Sequence, residues 1–349
     1  QVVGQRQGGH VIELLTACAE DLASAATTIA RWVAGDGIPE EALTAAVEQC
    51  EQVAHELRGF AGMSAVLAAP DLLASPVARL RDLAESFETR LDAEADQFRP
   101  SVMERLNALL VRFKDACFAV ARDRLGNVER LRALARGSTR SDHVRAAYYL
   151  NVALNALDRL EVRGRDSAGL QVYVRGSFGA LPEALEQDFQ ARSGDPRFGH
   201  TAARRARLAD GSEAYSLVYK VAAEVGELGD NVAAIRAAII DDALLHHLLE
   251  TSDVELDLLA HTRWASVGVI NEANAHPLNH ELEGYEDRAN VVAALNGDVD
   301  NYRALMDEAG LAMPEGITTD AKVIPVLVAH AMAAGQAPAE AFRRTVARF

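Results

Sequence analysis

One short run of the sequence places a cation and an aromatic ring directly after an apolar segment. Residues 258–262 are apolar until they end in a histidine and a threonine, and Arg263 and Trp264 follow. A polar Asn-Ala-His-Pro turn comes at residues 274–277. An arginine can form two parallel hydrogen bonds with a carboxylate, which a lysine cannot do. The run therefore predicts a polar site at the end of a buried strand.

Two histidine clusters raise the question of a metal site. Asp242 and His246 lie one helical turn apart, which is a spacing used by metal ligands. A solvated polar face on a helix between two leucine pairs is the better explanation of these residues. His276 and His280 could gather a cation, but His276 belongs to the Asn-Ala-His-Pro turn. We favour the structural interpretation in both places and predict no metal and no cofactor.

Four segments of the second half form an ordered series. They are RLEVRGRDSAG (159–169), AHTRWASVG (260–268) with NAHP (274–277), LNGDVDNY (295–302) and TTDAKVI (318–324). In this order the series resembles a known family. It is similar to the glutaminase domain of class II glutamine amidotransferases, which are N-terminal-nucleophile hydrolases. The combination of DSAG with HTRWA is most similar, within that family, to glucosamine-6-phosphate synthase, the glutamine:fructose-6-phosphate aminotransferase.

The resemblance implies a role for each polar group around a bound L-glutamine. Arg263 would bind the α-carboxylate, and Asp320 would pair with the α-ammonium. Asn296 and Gly297 match the pair that forms the oxyanion hole, one through a side-chain amide and the other through a backbone N–H. Donors of this kind typically contribute about 3 kcal/mol each. Taken alone, an Asn-Gly pair is more often a hairpin turn, and a single arginine or aspartate more often a surface ion pair.

Two further positions belong to the same comparison. Trp264 matches the family tryptophan near the closing loop, and Ser266 stands where the family has threonine. Val267 occupies the position of a family histidine, which is a departure from the pattern.

The catalytic nucleophile is the main departure from the family pattern. The family's chemistry starts from an N-terminal cysteine followed by glycine, and the free α-amine accepts the proton. The best counterpart here is RGFAGM, which places Arg58 at the nucleophile position, and two predicted helices precede it. Cys50 and Cys117 fit better as small apolar residues on buried helix faces. We therefore expect that glutamine hydrolysis is degenerate.

The elements that must position these residues change in character along the chain. Helical periodicity dominates up to about residue 160, and short β-prone runs alternate with helices after it. We predict an α+β fold, an αββα sandwich of the N-terminal-nucleophile hydrolase type. Its expected parts are a helical extension (1–57), a first strand (58–69), a helical-bundle insertion (70–147) and a glutaminase-like domain (148–349). We expect that domain to be incomplete, as the N-terminal part of a longer polypeptide.

Composition limits the partners and the environment of the protein. The net charge of −16 argues against nucleic acid, and no apolar run reaches membrane-spanning length. The odd number of cysteines, three, favours a reducing cytoplasmic setting. We predict L-glutamine as ligand, a sugar phosphate only through regions beyond this chain, and a homo-oligomer. The function is then that of a glucosamine-6-phosphate-synthase-like protein; the alternative is a non-enzymatic scaffold or glutamine sensor that assembles through its helices.

Overall fold

The chain folds into two compact units with different secondary structure. The computed structural model describes residues 2–207, 212–222, 227–265, 267–282 and 290–349, with side chains from residue 12 onward except at residue 207. Unit 1 is Gln1–Ala133 and unit 2 is Leu134–Phe349.

Unit 1 is built from helices around one apolar core. The core contains fully buried leucine and phenylalanine side chains, among them Leu22, Leu43, Phe87 and Phe113. A short 3-10 turn follows α4, and a π-helical turn joins α5 to α6. The helices are α1 (Val2–Val33), α2 (Glu40–Glu56), α3 (Gly59–Ala68), α4 (Asp71–Ala93), α5 (Pro100–Val120) and α6 (Gly126–Leu134), of which α6 ends at the unit boundary.

The predicted strand at residues 58–69 is wrong, because this segment forms helix α3. Its alanine, methionine and leucine residues are good helix formers. Its two glycines, which are poor helix formers, are required by the backbone conformation at one position and by close packing at the other. Gly59 has a φ of +73° at the start of the helix, and a Cβ at Gly62 would lie 2.3 Å from the carbonyl carbon of Leu57. Arg58 is the N-cap of this helix. The alignment of Arg58 with the nucleophile position therefore lacks the strand that was expected to follow it.

The domain boundaries also differ from the expected ones. The segment 1–57 and most of the segment 70–147 belong to one helical unit that ends at Ala133.

Among the described helices, none has by itself the length and apolar composition to cross a membrane. Helices α3 and α4 meet that test only together, as a pair bent by 102°.

Unit 2 contains two antiparallel sheets and the remaining helices. The larger sheet has the strand order β2-β3-β1-β4, and β5 pairs with β6 in the smaller one. The strands are β1 (Ser167–Gly176), β2 (Ala203–Arg207), β3 (Glu213–Val221), β4 (Glu255–Arg263), β5 (Leu278–Asn279) and β6 (Val292–Ala293). The helices are α7 (Ser141–Leu160), α8 (Glu183–Ser193), α9 (Asp230–Asp241), α10 (Ala243–Leu249), α11 (Tyr302–Glu308), α12 (Val323–Ala333) and α13 (Pro338–Val346).

The larger sheet positions the residues singled out by the motifs. Its inner strands β1 and β3 are buried over most of their length, and their buried residues include the polar Gln171, Ser216 and Lys220 beside apolar ones. Strands β1, β3 and β4 largely coincide with the β-prone runs SAGLQVYVRG (167–176), EAYSLVYKVA (213–222) and LDLLAHTRWASVG (256–268), and α7 coincides with the helical run at 141–160, as the sequence patterns predict. Helix α7 packs against β4 and α9 and so supports the edge of the sheet from which Arg263 projects.

Candidate functional site

Most of the residues predicted for the site line one cavity in unit 2. The cavity has a volume of about 410 Å³. Asp298 and Thr319 extend its wall beside two of the predicted residues. The structure therefore brings together residues from three separate motifs: Arg263, Trp264, Asn296, Gly297 and Asp320. Ser266, the remaining predicted substrate-binding residue, lies outside the described residues.

The alternation of strand β4 aims two of its side chains at the cavity. His261 and Arg263 are two residues apart, so they point to the same face of the sheet. Their partners on β1 are Gly169 and Ser167 respectively. A Cβ at Gly169 would lie only 2.1 Å from the carbonyl oxygen of His276. The glycine of the DSAG motif thus allows the backbone of His276 to approach the strand.

The aspartate of the DSAG motif holds the chain as it leaves β4. The carboxylate of Asp166 accepts a hydrogen bond from the N–H of Ala265 at 2.7 Å. The N–H of Asp166 in turn donates to the carbonyl oxygen of Arg263 at 3.2 Å. These two bonds fix the direction in which Arg263 and Trp264 leave the sheet.

Arg263 is a buried cation at the wall of the cavity. Its residue is 5% exposed, and its guanidinium donates to the carbonyl oxygen of Val267 and, at 3.5 Å, to that of Val269. Burial lowers the pKa of this guanidinium, and the nearby carboxylates of Asp320 and Asp166 oppose that shift. Because an arginine has five N–H donors, two backbone bonds leave others to bind a ligand carboxylate.

Asp320 supplies a buried negative charge to the same cavity. One of its carboxylate oxygens accepts from the N–H of Val299 at 2.5 Å, and the other lies 3.4 Å from the hydroxyl of Thr319. Asn274 holds the segment that leads to this acid, since its side-chain oxygen accepts from the N–H groups of Thr318 and Thr319 at 2.7 and 3.0 Å. The Asn-Ala-His-Pro turn thereby determines where the carboxylate of Asp320 lies.

Asn296 and Gly297 form an exposed step of the cavity wall after β6. Gly297 has a φ of +152°, a backbone conformation that side-chain-bearing residues rarely adopt. The preceding residue is anchored, because the N–H of Leu295 donates to Nδ1 of His276 at 3.3 Å. Trp264 is 75% exposed at the cavity, a large fraction for a tryptophan.

Two neutral histidines lie side by side in the cavity wall. The ring centroids of His261 and His276 are 4.6 Å apart. Burial is the largest cause that, together with the neighbouring His261, Arg263 and Lys220, lowers the pKa of His276 to about 3. Burial and Arg263 also lower the pKa of His261. Both imidazoles are therefore uncharged near neutral pH.

The helical segment considered as a metal site has other partners. The carboxylate of Asp242 accepts from Arg192 and from the hydroxyl of Tyr219, each at 2.7 Å, and from the N–H of Leu245 at 3.0 Å. His246 instead lies 3.2 Å from His143, nitrogen to nitrogen. The side chains of Asp242 and His246 thus form hydrogen bonds with different partners inside unit 2.

Sequence reasoning did not assign a role at the cavity to several of its residues. These include His261, Leu295 and Thr319, and also Arg163, whose exposed side chain lies at the cavity. The period of two in β4 was the available signal for His261, because it places that residue on the face of Arg263. The sequence placed His276 only in the Asn-Ala-His-Pro turn and in a candidate cation cluster, because its neighbours at the cavity come from β1, β4 and the segment after β6.

The charges of this cavity match the two ends of an α-amino acid. A buried guanidinium is complementary to a carboxylate, and a buried carboxylate to an ammonium. The exposed Asn-Gly step adds neutral polar groups to the same cavity. The site has the composition of a pocket for a small zwitterionic ligand.

Part of the chain is similar to curated proteins named glutamine–fructose-6-phosphate aminotransferase (isomerizing). It is 39% identical over 93 residues to the protein of Mesorhizobium japonicum, which is 26% of this chain and 14% of that relative. It is 33% identical over 131 residues to the protein of Caulobacter vibrioides, 37% of this chain and 20% of the relative. It is 30% identical over 125 residues to that of Sulfurisphaera tokodaii, 35% of this chain and 20% of the relative.

These matches support a relationship to glutamine–fructose-6-phosphate aminotransferases over part of the chain. The chain spans no more than 20% of the length of these three curated relatives. No protein-family description matches the chain, and no solved structure matches it.

Proposed function

We propose that unit 2 is a glutaminase-like domain that binds L-glutamine in the cavity without hydrolysing it by a thiol of this chain. The observation that carries the proposal is the arrangement of Arg263, Asp320 and the Asn296–Gly297 pair around one cavity of about 410 Å³. The relationship to glutamine–fructose-6-phosphate aminotransferases, whose name includes glutamine, supports this choice of ligand.

The amino and carboxyl groups of glutamine would be held by the two buried charges. Arg263 binds the α-carboxylate with those guanidinium N–H groups that the carbonyl oxygens of Val267 and Val269 do not take. Asp320 accepts from the α-ammonium through the carboxylate oxygen opposite the one bonded to Val299. Both charges are nearly buried, so their attraction to a ligand is weakened less by water than at an exposed site.

The side-chain amide would be recognised by the Asn-Gly step. The side-chain N–H₂ of Asn296 and the backbone N–H of Gly297 donate to the amide oxygen.

We also propose that unit 2 has the αββα arrangement of N-terminal-nucleophile hydrolases. The antiparallel sheet with α7 and α9 packed against it supports this proposal.

The thiols of this chain are poorly suited to attack an amide. All three cysteines are buried in helices of unit 1. Burial raises the pKa of Cys18 to about 11 and that of Cys50 and Cys117 to about 12. Since the thiolate is the nucleophile, these groups are unreactive near neutral pH.

Calorimetric titration of the full chain with L-glutamine tests the proposal. We expect saturable binding of L-glutamine, weaker binding of L-norvaline, which lacks the amide, and no binding of glutaramide, which lacks the α-ammonium and α-carboxylate. Absence of L-glutamine binding at millimolar concentration would overturn the proposed ligand. Ammonia release from L-glutamine by the purified chain, abolished by a thiol-directed glutamine analogue, would overturn the loss of hydrolysis.

A second experiment separates an enzymatic from a sensory role. The partial similarity to the aminotransferases supports amino-sugar synthesis as the process in which the protein takes part. The unreactive thiols favour a scaffold or glutamine sensor instead. Amino-sugar formation from fructose 6-phosphate with glutamine or ammonia, by the chain in its natural polypeptide, supports the first role, and glutamine binding without product supports the second.

A further inference from the structure

The backbone on either side of the Asn296–Gly297 step is anchored by a buried side chain, at Leu295 before the step and at Val299 two residues after it. On one side the N–H of Leu295 donates to Nδ1 of His276 at 3.3 Å. On the other side the N–H of Val299 donates to the carboxylate of Asp320 at 2.5 Å. The step itself is exposed and lies outside the strands and helices that the structure describes. Its geometry therefore depends on these two flanking bonds.

The backbone of His276 is held in place by close packing. The residue is 4% exposed, and its carbonyl oxygen fills the place where a side chain at position 169 would be. Its ring lies against the ring of His261, which projects from β4. His276 is thus fixed by two strands of the larger sheet and contacts the segment after β6.

The hydrogen bond to Leu295 determines the tautomer of His276. An Nδ1 that accepts a hydrogen bond carries no proton, so the proton of the neutral ring lies on Nε2. Among the described residues, neither Nε2 of His276 nor Nδ1 of His261 has a hydrogen-bond partner. Burial keeps the ring neutral, since it lowers the pKa of His276 to about 3. In that tautomer Nδ1 accepts from the N–H of Leu295.

We propose that His276 is a positioning residue, which holds Leu295 and through it sets the Asn296–Gly297 donors for a side-chain amide. The inference rests on the proposed function, because it concerns the same pocket. The ring of His276 binds the protein backbone at Leu295, and Asn296 and Gly297 contact the ligand directly.

Two substitutions at position 276 separate positioning from direct contact. An asparagine oxygen takes the place of Nδ1, so His276→Asn retains the acceptor for Leu295. A glutamine reaches the place of Nε2, so His276→Gln leaves the N–H of Leu295 without its acceptor. His280→Gln is the matched control, because His280 is also 4% exposed and its Nδ1 accepts from the N–H of Val291 at 3.3 Å, but it does not line the cavity.

The measured quantity is the ratio of the dissociation constants of L-norvaline and L-glutamine. Both ligands use Arg263 and Asp320, and only L-glutamine uses the Asn-Gly step, so general damage to the fold cancels from the ratio. We expect His276→Gln to lower the ratio by about tenfold, the effect of losing one well-placed hydrogen bond. His276→Asn and His280→Gln should leave it within about twofold.

Other outcomes overturn the inference in distinguishable ways. An unchanged ratio in His276→Gln contradicts positioning, and loss in His276→Asn with retention in His276→Gln assigns a direct contact to Nε2. An equally large fall of the ratio in His280→Gln would show that the loss of any buried histidine lowers it, and would contradict a specific role of His276. If the unsubstituted chain does not distinguish L-glutamine from L-norvaline, the proposed function fails and the inference with it. Nitrogen NMR tests the tautomer without ligand: protonation at Nε2 is expected, and protonation at Nδ1 would overturn the inference alone.

Discussion

The backbone N–H of Val299 donates to the carboxylate of Asp320 at 2.5 Å, which joins the segment after the Asn-Gly step to the acid of the cavity. The two residues lie 21 positions apart in the chain. Through this bond Asp320 has a structural contact and still presents a second carboxylate oxygen. The side chain of Asp320 thus both holds the backbone at Val299 and supplies the negative charge of the pocket.

Asp320→Asn removes the charge and keeps an acceptor for Val299. We expect L-glutamine to bind roughly tenfold to a hundredfold more weakly, because a hydrogen bond to a charged group contributes about 1.5–3 kcal/mol. L-Norvaline should lose as much, since it presents the same ammonium. Calorimetry measures both affinities, and an unchanged melting temperature shows that the Val299 bond persists. Unaltered affinity for both ligands would exclude Asp320 from the ammonium site.

Arg263→Lys keeps a positive charge but removes the planar pair of donors. We expect at least a tenfold loss of L-glutamine affinity, because an ammonium cannot form two parallel bonds to a carboxylate. Arg163→Lys is the control, since Arg163 lies at the same cavity with an exposed side chain. Equal effects of the two substitutions in the titration would contradict a specific role for Arg263.

Gly169→Ala should destabilise unit 2 through a steric clash. The new Cβ would lie 2.1 Å from the carbonyl oxygen of His276, so β1 or the turn must move. Overpacking of this kind typically costs about 1–3 kcal/mol. Gly179→Ala is the control, because a Cβ there meets no atom within 4 Å. Hydrogen exchange of the β1 amides measures the effect, and equal protection in both variants would contradict the close approach.

The buried pair His143–His246 predicts a loss of stability in acid. Nε2 of His246 lies 3.0 Å from the carbonyl oxygen of Ile239, and burial lowers the pKa of His246 to about 4. An unfolded histidine with a pKa near 6.5 binds a proton first. The free energy of unfolding should therefore fall as the pH drops from about 6.5 to 4, because only the unfolded state is protonated in that range.

His246→Gln tests the origin of that loss. The glutamine amide keeps a donor for Ile239 but does not titrate. Its free energy of unfolding, measured by urea denaturation at several pH values, should change less between pH 6.5 and 4 than that of the unsubstituted chain. Equal slopes in the two proteins would assign the acid sensitivity to other groups.

The cysteines should resist alkylation in the folded chain. Burial raises the pKa of Cys50 and Cys117 to about 12, so the thiolate is scarce at pH 8. Iodoacetamide followed by mass spectrometry should label them only after denaturation. A cysteine that reacts rapidly in the native chain would reopen the question of a thiol nucleophile.

Local sequence patterns were sufficient to predict the strands that carry the motifs, and insufficient to predict the secondary structure of residues 58–69. β1, β3 and helix α7 follow from long periodic runs with clear boundaries. The segment 58–69 combines two glycines with small apolar residues, a composition that both a strand entered through a turn and a short buried helix can have. Packing decides between them, because Gly62 allows the helix to lie against Leu57. Strand β2, rich in arginine, had no apolar alternation to reveal it.

The sequence by itself determined which residue types recur in the four motifs, their order and the resemblance they carry. Their assembly around one cavity was decided only by the tertiary structure. Arg263, Asn296 and Asp320 come from segments far apart in the chain, and no local rule brings them to one wall. The role of His276 depended on tertiary structure most of all. Its contacts come from a glycine on β1, a ring on β4 and an N–H after β6, which meet only when these segments pack together.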